Sequence, residues 1–297
     1  MLDQSIGYQT GQWRPVNQMG LALEDLGLLQ GVVAVERLRT YGGLVWQLER
    51  HLDRLGQTLR ALSLSPLHEH DWLERIDQLL KINAAHIERE GDVGIVLMVT
   101  PGRVQSANTE IAHLVHLDHS RIEHQQAVGE HLRVPGTCAP PAACWPATIK
   151  VRARLHYYLA EQAAHAVEPN SAAVIVDLNG NLLETSAANL CAISRGRVYV
   201  PPADSVLPGV SAAVALDWFQ QFGLSVQRIP LSRSIVEAAD ELVLLGTGAF
   251  AWTGTHLDGQ PVGDGQVGAW TRILQSQLRE ATTSNADPPT AEDSRAD

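Results

Sequence analysis

Lysine is almost missing from this chain. Of its 297 residues only Lys81 and Lys150 are lysines, and every other permanently basic side chain is an arginine. Cysteine is scarce too. Cys138, Cys144 and Cys191 are odd in number and match no metal-ligand spacing, so the sequence reads as a cytoplasmic, reducing setting without disulfides. No segment approaches the roughly 20 apolar residues of a membrane-spanning helix, and no basic stretch followed by an apolar run opens the chain. Basic residues are outnumbered, 22 against 33 acidic, and the net charge of −11 argues against nucleic acid or an anionic membrane as the main partner. The scattered histidines (His68, His70, His113, His116, His119, His124) lack an HxxxH helix or a CxxC partner, so they read as solvated side chains and not as metal ligands.

At 297 residues, 45% hydrophobic and 19% charged, the chain has room for one large or two ordinary domains, each with its own core. Gly31 to Arg39 is β-branched and apolar and reads as a buried strand. Tyr41-Gly42-Gly43 turns it back into Leu44-Val45-Trp46 as a hairpin. Leu48, Leu52, Leu55, Leu59 and Leu62 alternate at steps of four and three, which predicts an amphipathic helix. Trp72 to Glu90 reads as a second helix, with Leu73, Ile76, Leu80, Ala84 and Ile87 on its buried face, Asn83 interrupting it, and Lys81 beside it as a snorkelling surface residue. Strands are expected at 6–8, 93–100 and 111–117.

The Pro-, Ala- and Gly-rich stretch 135–146 is the expected interdomain linker, between an N-terminal domain at 1–134 and a C-terminal domain at 147–281. The second half predicts a helix from Val151 to Ala166 and strands at 172–177, 182–184, 190–195 and 197–200. A helix from Pro208-Gly209 to Phe222, strands near 224–229 and 241–246, a hairpin at Asp258-Gly259 and a helix from Val267 to Ala281 follow. The tail 282–297 has no apolar side chain larger than alanine or proline and is expected to be disordered.

Lys150 follows the apolar run Trp145-Pro146-Ala147-Thr148-Ile149. A desolvated amine there has a lowered pKa and can act as a nucleophile toward carbonyls, which an arginine cannot. The competing reading is a surface lysine. Three further groups could serve a cofactor carrying an aldehyde, a pyridine ring and a phosphate. Glu184, at the end of a short strand, could face the ring nitrogen. Leu207-Pro208-Gly209-Val210-Ser211 leads into a helix whose free N–H groups and Ser211 hydroxyl suit an anion, and Leu245-Gly246-Thr247-Gly248 offers a second hydroxyl. Arg54, just off the apolar stripe of its helix, could supply a fixed charge. Each is open to a plainer reading as turn chemistry or a solvated arginine.

The order of these pieces resembles the class IV aminotransferases, the fold-type IV pyridoxal-phosphate enzymes, from about Tyr8 to Glu280. The resemblance rests on Asp25-Leu26-Gly27, Glu36-Arg37-Leu38-Arg39, Tyr41-Gly42-Gly43, His51-Leu52-Asp53-Arg54-Leu55, Lys150 and Glu184-Thr185-Ser186-Ala187-Ala188-Asn189-Leu190. It continues through Leu207-Pro208-Gly209-Val210-Ser211, Ala239-Asp240-Glu241, Gly246-Thr247 and Asp258-Gly259-Gln260-Pro261-Val262-Gly263. It implies a two-domain α+β fold, with a smaller N-terminal α/β domain and a larger C-terminal domain around a β-barrel-like core. It also implies a homodimer and pyridoxal 5'-phosphate as cofactor. Lys150 would be the catalytic Schiff-base residue, Glu184 the partner of the pyridinium nitrogen, and Arg54, Val210, Ser211 and Thr247 the phosphate ligands.

Departures from the family pattern bear on the substrate. Gln30 stands where many members have tyrosine, Ala212 replaces an arginine, apolar residues near Leu97-Met98 replace another, and Arg154-Leu155 replace an asparagine and tyrosine. The first expectation is amino transfer between an amino acid, a branched-chain L-amino acid, and a 2-oxo acid such as 2-oxoglutarate. A lyase releasing 4-aminobenzoate and pyruvate from aminodeoxychorismate is the alternative, and a cofactor carrier without turnover is a third reading.

Overall fold

Two sheets organise the chain, and the computed structural model describes residues 5–65 and 69–283 of it. The N-terminal elements are β1 (Ile6–Gln9), β2 (Gln12–Pro15), α1 (Leu26–Gln30), β3 (Ala34–Tyr41), β4 (Leu44–Val45), α2 (Leu48–Ala61), α3 (Glu69–Ile82), α4 (Ala84–Glu90), β5 (Gly94–Thr100) and β6 (Thr109–Val115). Then come α5 (His119–Val128), β7 (Glu130–Arg133), α6 (Leu155–Val167), β8 (Ala172–Val176), β9 (Leu182–Thr185), β10 (Asn189–Ser194) and β11 (Arg197–Val200). The chain finishes with α7 (Val210–Gln221), β12 (Ser225–Arg228), α8 (Arg233–Glu237), β13 (Glu241–Gly246), β14 (Phe250–Leu257), β15 (Gln260–Pro261) and α9 (Ala269–Thr283).

The first sheet runs β2-β1-β6-β5-β3-β4, antiparallel throughout. The leucine stripe of α2 (Leu52, Leu55, Leu59) packs with Trp72, Ile76 and Leu79 of α3 onto Leu38, Ile95, Leu97 and Leu114 of the strands. Burial of such side chains contributes about 1.5–3 kcal/mol each, and this core holds the unit together.

In the second sheet β9 pairs with both β8 and β10, so β10-β13-β14-β7-β8-β9 close into a ring of strands, with β11, β12 and β15 outside it. This is the barrel-like core the resemblance implied. Alternation explains why β10 and β13 read as continuous apolar runs. Leu190, Ala192, Leu242 and Leu244 turn to one core, while Cys191, Ile193, Val243 and Leu245 turn to a second core under α7 and α9.

Several expectations need correction. The helix expected over 72–90 is two helices, broken at Asn83. Asn83 donates to the Ile6 and Leu79 carbonyls and accepts from the Ile6 N–H, all at 2.8 Å, so its side chain competes with the helical ladder and ties the break to β1. The buried face is accordingly Trp72, Ile76, Leu79, Asn83 and His86, and Leu73 is exposed. The helix expected from Val151 begins at Leu155. Residues 150–152 instead run alongside the start of β3, with the Val35 N–H donating to the Lys150 carbonyl and the Arg152 N–H to that of Val33, each at 3.0 Å. The stretch 135–146 forms no helix or named strand, and β7 before it pairs with β14 and β8 of the second sheet. Thr282 and Thr283 extend α9, and the rest of the expected tail, with the side chain of His70 and all of His68, lies outside the described residues. Among the described residues no helix is long and apolar enough to cross a membrane, and all three cysteines are free.

Candidate active site

Lys150 sits where the two units meet. Its backbone is fixed at both ends: the N–H donates to Thr58 Oγ1 of α2 at 3.1 Å, and the carbonyl accepts from Val35 of β3. Its side chain faces a cavity of about 520 Å³, bounded by β3, the end of β9, the start of α7 and the turn at 246–248. That volume lies within the range of small-molecule sites. Loss of hydration first, and the neighbouring Arg54 charge second, bring the Lys150 pKa down to about 8. At pH 7 about one amine in ten is then neutral and nucleophilic, against fewer than about one in a thousand for a solvated lysine. The other lysine is unlike it: Lys81 is exposed and pairs with Asp77 at 2.7 Å.

Glu184 is the penultimate residue of β9 and faces the same cavity. Its Oε1 accepts from the Tyr157 hydroxyl at 2.8 Å, its Oε2 from Asn189 Nδ2 at 3.0 Å, and both oxygens lie 3.3 Å from the Leu207 N–H. Burial outweighs these hydrogen bonds and raises the carboxyl pKa to about 7, and burial with the Glu184 charge pushes the Tyr157 phenol well above its usual value. Glu184 and Asn189 are register partners where β9 meets β10, so the pair that closes the barrel also builds this wall. Gly209 is required beside it. A Cβ there would come within 1.9 Å of Asn189 Oδ1, although its backbone is one any residue can adopt.

The third wall suits an anion. Gly209 caps α7 without a side-chain hydrogen bond, so the N–H groups of Val210 and Ser211 are free at the positive end of a helix. The Ser211 and Thr247 hydroxyls line the cavity, and neither bonds to a described residue. Arg54 also reaches the cavity, but much of its fork is already engaged. Its Nε and Nη2 donate to Glu36 at 3.0 and 2.6 Å, and its Nη1 donates to the Pro208 carbonyl at 2.9 Å. Glu36 is fully buried and also meets His51 Nδ1 at 2.9 Å. Burial raises its pKa, but Arg54 and His51 outweigh that and hold the carboxyl far below the usual range. Arg54 is thus a fixed charge, anchored from β3 and anchoring the start of α7.

The structure therefore brings Arg54, Lys150, Glu184, Val210, Ser211 and Thr247 to one cavity. A smaller cavity of about 300 Å³ behind α7 shares Arg54 and Asn189 but contains neither Lys150 nor Glu184. Sequence reasoning gave no role to Tyr157, Asn189 or Glu36. An acid between Ala34 and Leu38 on the core face of β3 was the available signal for Glu36. Tyr157 carried none, because its partner is 27 residues away.

The amino-transferase class IV family model matches residues 34–255. A branched-chain-amino-acid aminotransferase-like protein 2 of Arabidopsis thaliana is 29% identical over 85% of this chain and 46% of its own length, so the chain spans about half of that relative. A putative branched-chain-amino-acid aminotransferase of Methanocaldococcus jannaschii is 24% identical over 93% of this chain and 96% of its own. Among solved structures, a T.th. branched-chain amino acid aminotransferase complexed with N-(5'-phosphopyridoxyl)-L-glutamate shares the fold, with a TM-score of 0.85, 19% identity and 97% of each chain covered.

Proposed function

The chain belongs to the class IV aminotransferases, and we propose that it is a transaminase moving an amino group between an amino acid, a branched-chain L-amino acid, and a 2-oxo acid. Enzymes of this class use pyridoxal 5'-phosphate, and the donor set here suits that cofactor. A buried amine, a buried acid and a free helix N-terminus with two unengaged hydroxyls face one cavity. When bound, the cofactor supplies an electron sink for the charge left on a substrate's α-carbon. Lys150 would hold it by its amine. Glu184 would face the ring nitrogen, and Arg54, Ser211, Thr247 and the Val210 amide would hold the phosphate.

The observation that carries this reading is the pairing of Lys150 and Glu184, one pKa lowered to about 8 and the other raised to about 7, across a single cavity. Groups drawn toward neutrality from opposite sides are those that can exchange protons at working pH. Lys150 Nζ, once freed from the cofactor by the incoming amine, would take the proton from the substrate's α-carbon and deliver it to the carbon on the far side of the substrate nitrogen. Tyr157 and Asn189 hold the Glu184 carboxylate in place, and Arg54 keeps the start of α7 against the site.

The cavity wall also includes Val35, Leu117, Ile122 and Trp252, apolar surface that suits a branched aliphatic side chain. The family and the relatives named are aminotransferases, which leaves the lyase alternative without support. A homodimer is supported by the outer face of α6, where Leu155, Tyr158 and Leu159 are 68%, 59% and 52% exposed in the single chain. The free cysteines suit a cytoplasmic setting.

The test is a half-reaction. L-leucine added to the cofactor-loaded protein should release one equivalent of its 2-oxo acid per site. In Glu184→Gln the rate should fall about 10²-fold or more with the bound cofactor content retained. Release of 4-aminobenzoate from aminodeoxychorismate with no oxo acid from leucine would overturn the proposal. A Glu184→Gln defect confined to cofactor affinity would overturn the role of Glu184.

A further inference from the structure

The turn that carries Thr247 into the cavity is strained. It joins β13 to β14, whose register pairs Gly246 with Phe250 and leaves residues 247–249 to reverse the chain. Phe250 closes the turn with φ at +65°, a conformation that suits glycine and that a bulky side chain rarely adopts. Around it the Ala251 N–H donates to the Ala249 carbonyl at 2.9 Å, the hydrogen bond of a γ-turn, whose positive-φ form is rare and strained. Such a conformation persists where its surroundings over-determine it, and it collects at ligand clamps.

Side chains from several elements hold this one. The buried Phe250 ring meets Trp218 edge to face, with centroids 5.4 Å apart. Gln126 of α5 donates to the Ala249 carbonyl at 2.8 Å, and Gln275 of α9 donates to the Ala251 carbonyl at 3.0 Å. The last comes from the other sheet, where Arg39 of β3 donates through Nη1 to the Gly248 carbonyl.

Arg39 is an expensive residue for a plain strap. It is 6% exposed, and no acid of the described residues pairs with it. Its guanidinium lies 3.9 Å from the centre of the Tyr41 ring and donates through Nε to the Thr40 carbonyl at 3.2 Å. A buried guanidinium without a counter-ion disfavours folding, so packing alone gives no reason to keep it. It does not line the cavity, yet it fixes the carbonyl of the residue after Thr247, whose hydroxyl faces the cavity beside Ser211 and the start of α7. We propose that Arg39 is a positioning residue for this anion wall, holding the strained 247–250 turn so that the Thr247 hydroxyl meets the cofactor phosphate. This rests on the reading of the cavity as a pyridoxal-phosphate site.

The experiment compares pyridoxal 5'-phosphate with pyridoxal, which has the same ring and aldehyde but no phosphate. Binding to the unloaded protein is titrated by absorbance, without an amino donor, for wild type, Arg39→Met, Thr247→Val and the double variant. Arg39→Met should weaken pyridoxal 5'-phosphate about tenfold or more and pyridoxal less than about twofold, with thermal melting establishing the fold. Because Arg39 acts through Thr247, the double variant should lose no more than about twofold beyond the larger single loss. Arg39→Lys keeps the charge and one donor, so its selective loss should be smaller, about threefold, and it carries the same test if Arg39→Met does not fold. Equal losses for both aldehydes, fully additive losses in the double variant, or no selective loss in a folded Arg39 variant would overturn the proposal. A wild type with no preference for the phosphorylated aldehyde would overturn the anion wall and the role of Arg39 with it. Selective loss in a protein that shows no transamination would keep the role of Arg39 and remove the proposed activity.

Discussion

Replacing Lys150 with alanine should reduce transamination by about 10³-fold or more while the protein keeps its fold. The expectation follows from how little else depends on that side chain. The hydrogen bonds that fix residue 150 run through its backbone, to Thr58 Oγ1 and to Val35. Alanine preserves both. It also removes a buried amine whose charge is disfavoured there, so stability should hold or rise. Lys150→Arg should be nearly as inactive, because a guanidinium stays protonated. Far-ultraviolet circular dichroism and thermal melting establish the fold, and a coupled assay with a branched-chain donor reads the activity. Activity within tenfold of wild type in Lys150→Ala would remove the lysine from the mechanism.

The largest effect on stability should come from a residue outside the chemistry. Glu36 is fully buried, holds Arg54 through two hydrogen bonds and meets His51. Glu36→Ala leaves the Arg54 charge buried without its partner, a change that costs about 3–5 kcal/mol. Chemical denaturation should show that loss, and Glu36→Gln, which keeps the volume but not the charge, should show much of it. Removing both charges, as in Glu36→Leu with Arg54→Leu, should be less damaging than Glu36→Ala alone, at the expense of phosphate binding. The pH dependence has a definite sign. The folded carboxyl titrates far below its ordinary value of 4.5, so its contribution is present above pH 4.5 and fades as the pH falls from there. Glu36→Gln should flatten that part of the stability profile.

Elements that bury their own apolar residues were legible in the sequence. β3, α2, β11 and β13 lie where their apolar patterns placed them, because each buries what its pattern offers. Elements whose reason is elsewhere in the chain were not legible. The residues of α5 are none of them buried, so it has no stripe to read, and its N-cap Asp118 is the only local signal. The helix break at Asn83 depends on Ile6, 77 residues away, and the extended run at 150–152 on its pairing with the start of β3.

The site divides in the same way. Lys150 stood out because the chain has almost no other lysine, and Glu184 because the expected strand at 182–184 ended on it. Arg54 was legible as a charge near the site but not as a tethered one, since Glu36 and Pro208 come to it from other elements.

The central claim is that Lys150 carries the cofactor, and the scarcity of lysine makes it directly testable. The protein loaded with pyridoxal 5'-phosphate is reduced with borohydride, which makes an amine–aldehyde linkage permanent, then digested and mapped by mass spectrometry. With only Lys81 and Lys150 as lysine positions, the account predicts the phosphopyridoxyl mass on the Lys150 peptide and none on Lys81. Label on Lys81 or the α-amino group with Lys150 unmodified, or no label at all in a folded protein, would contradict it.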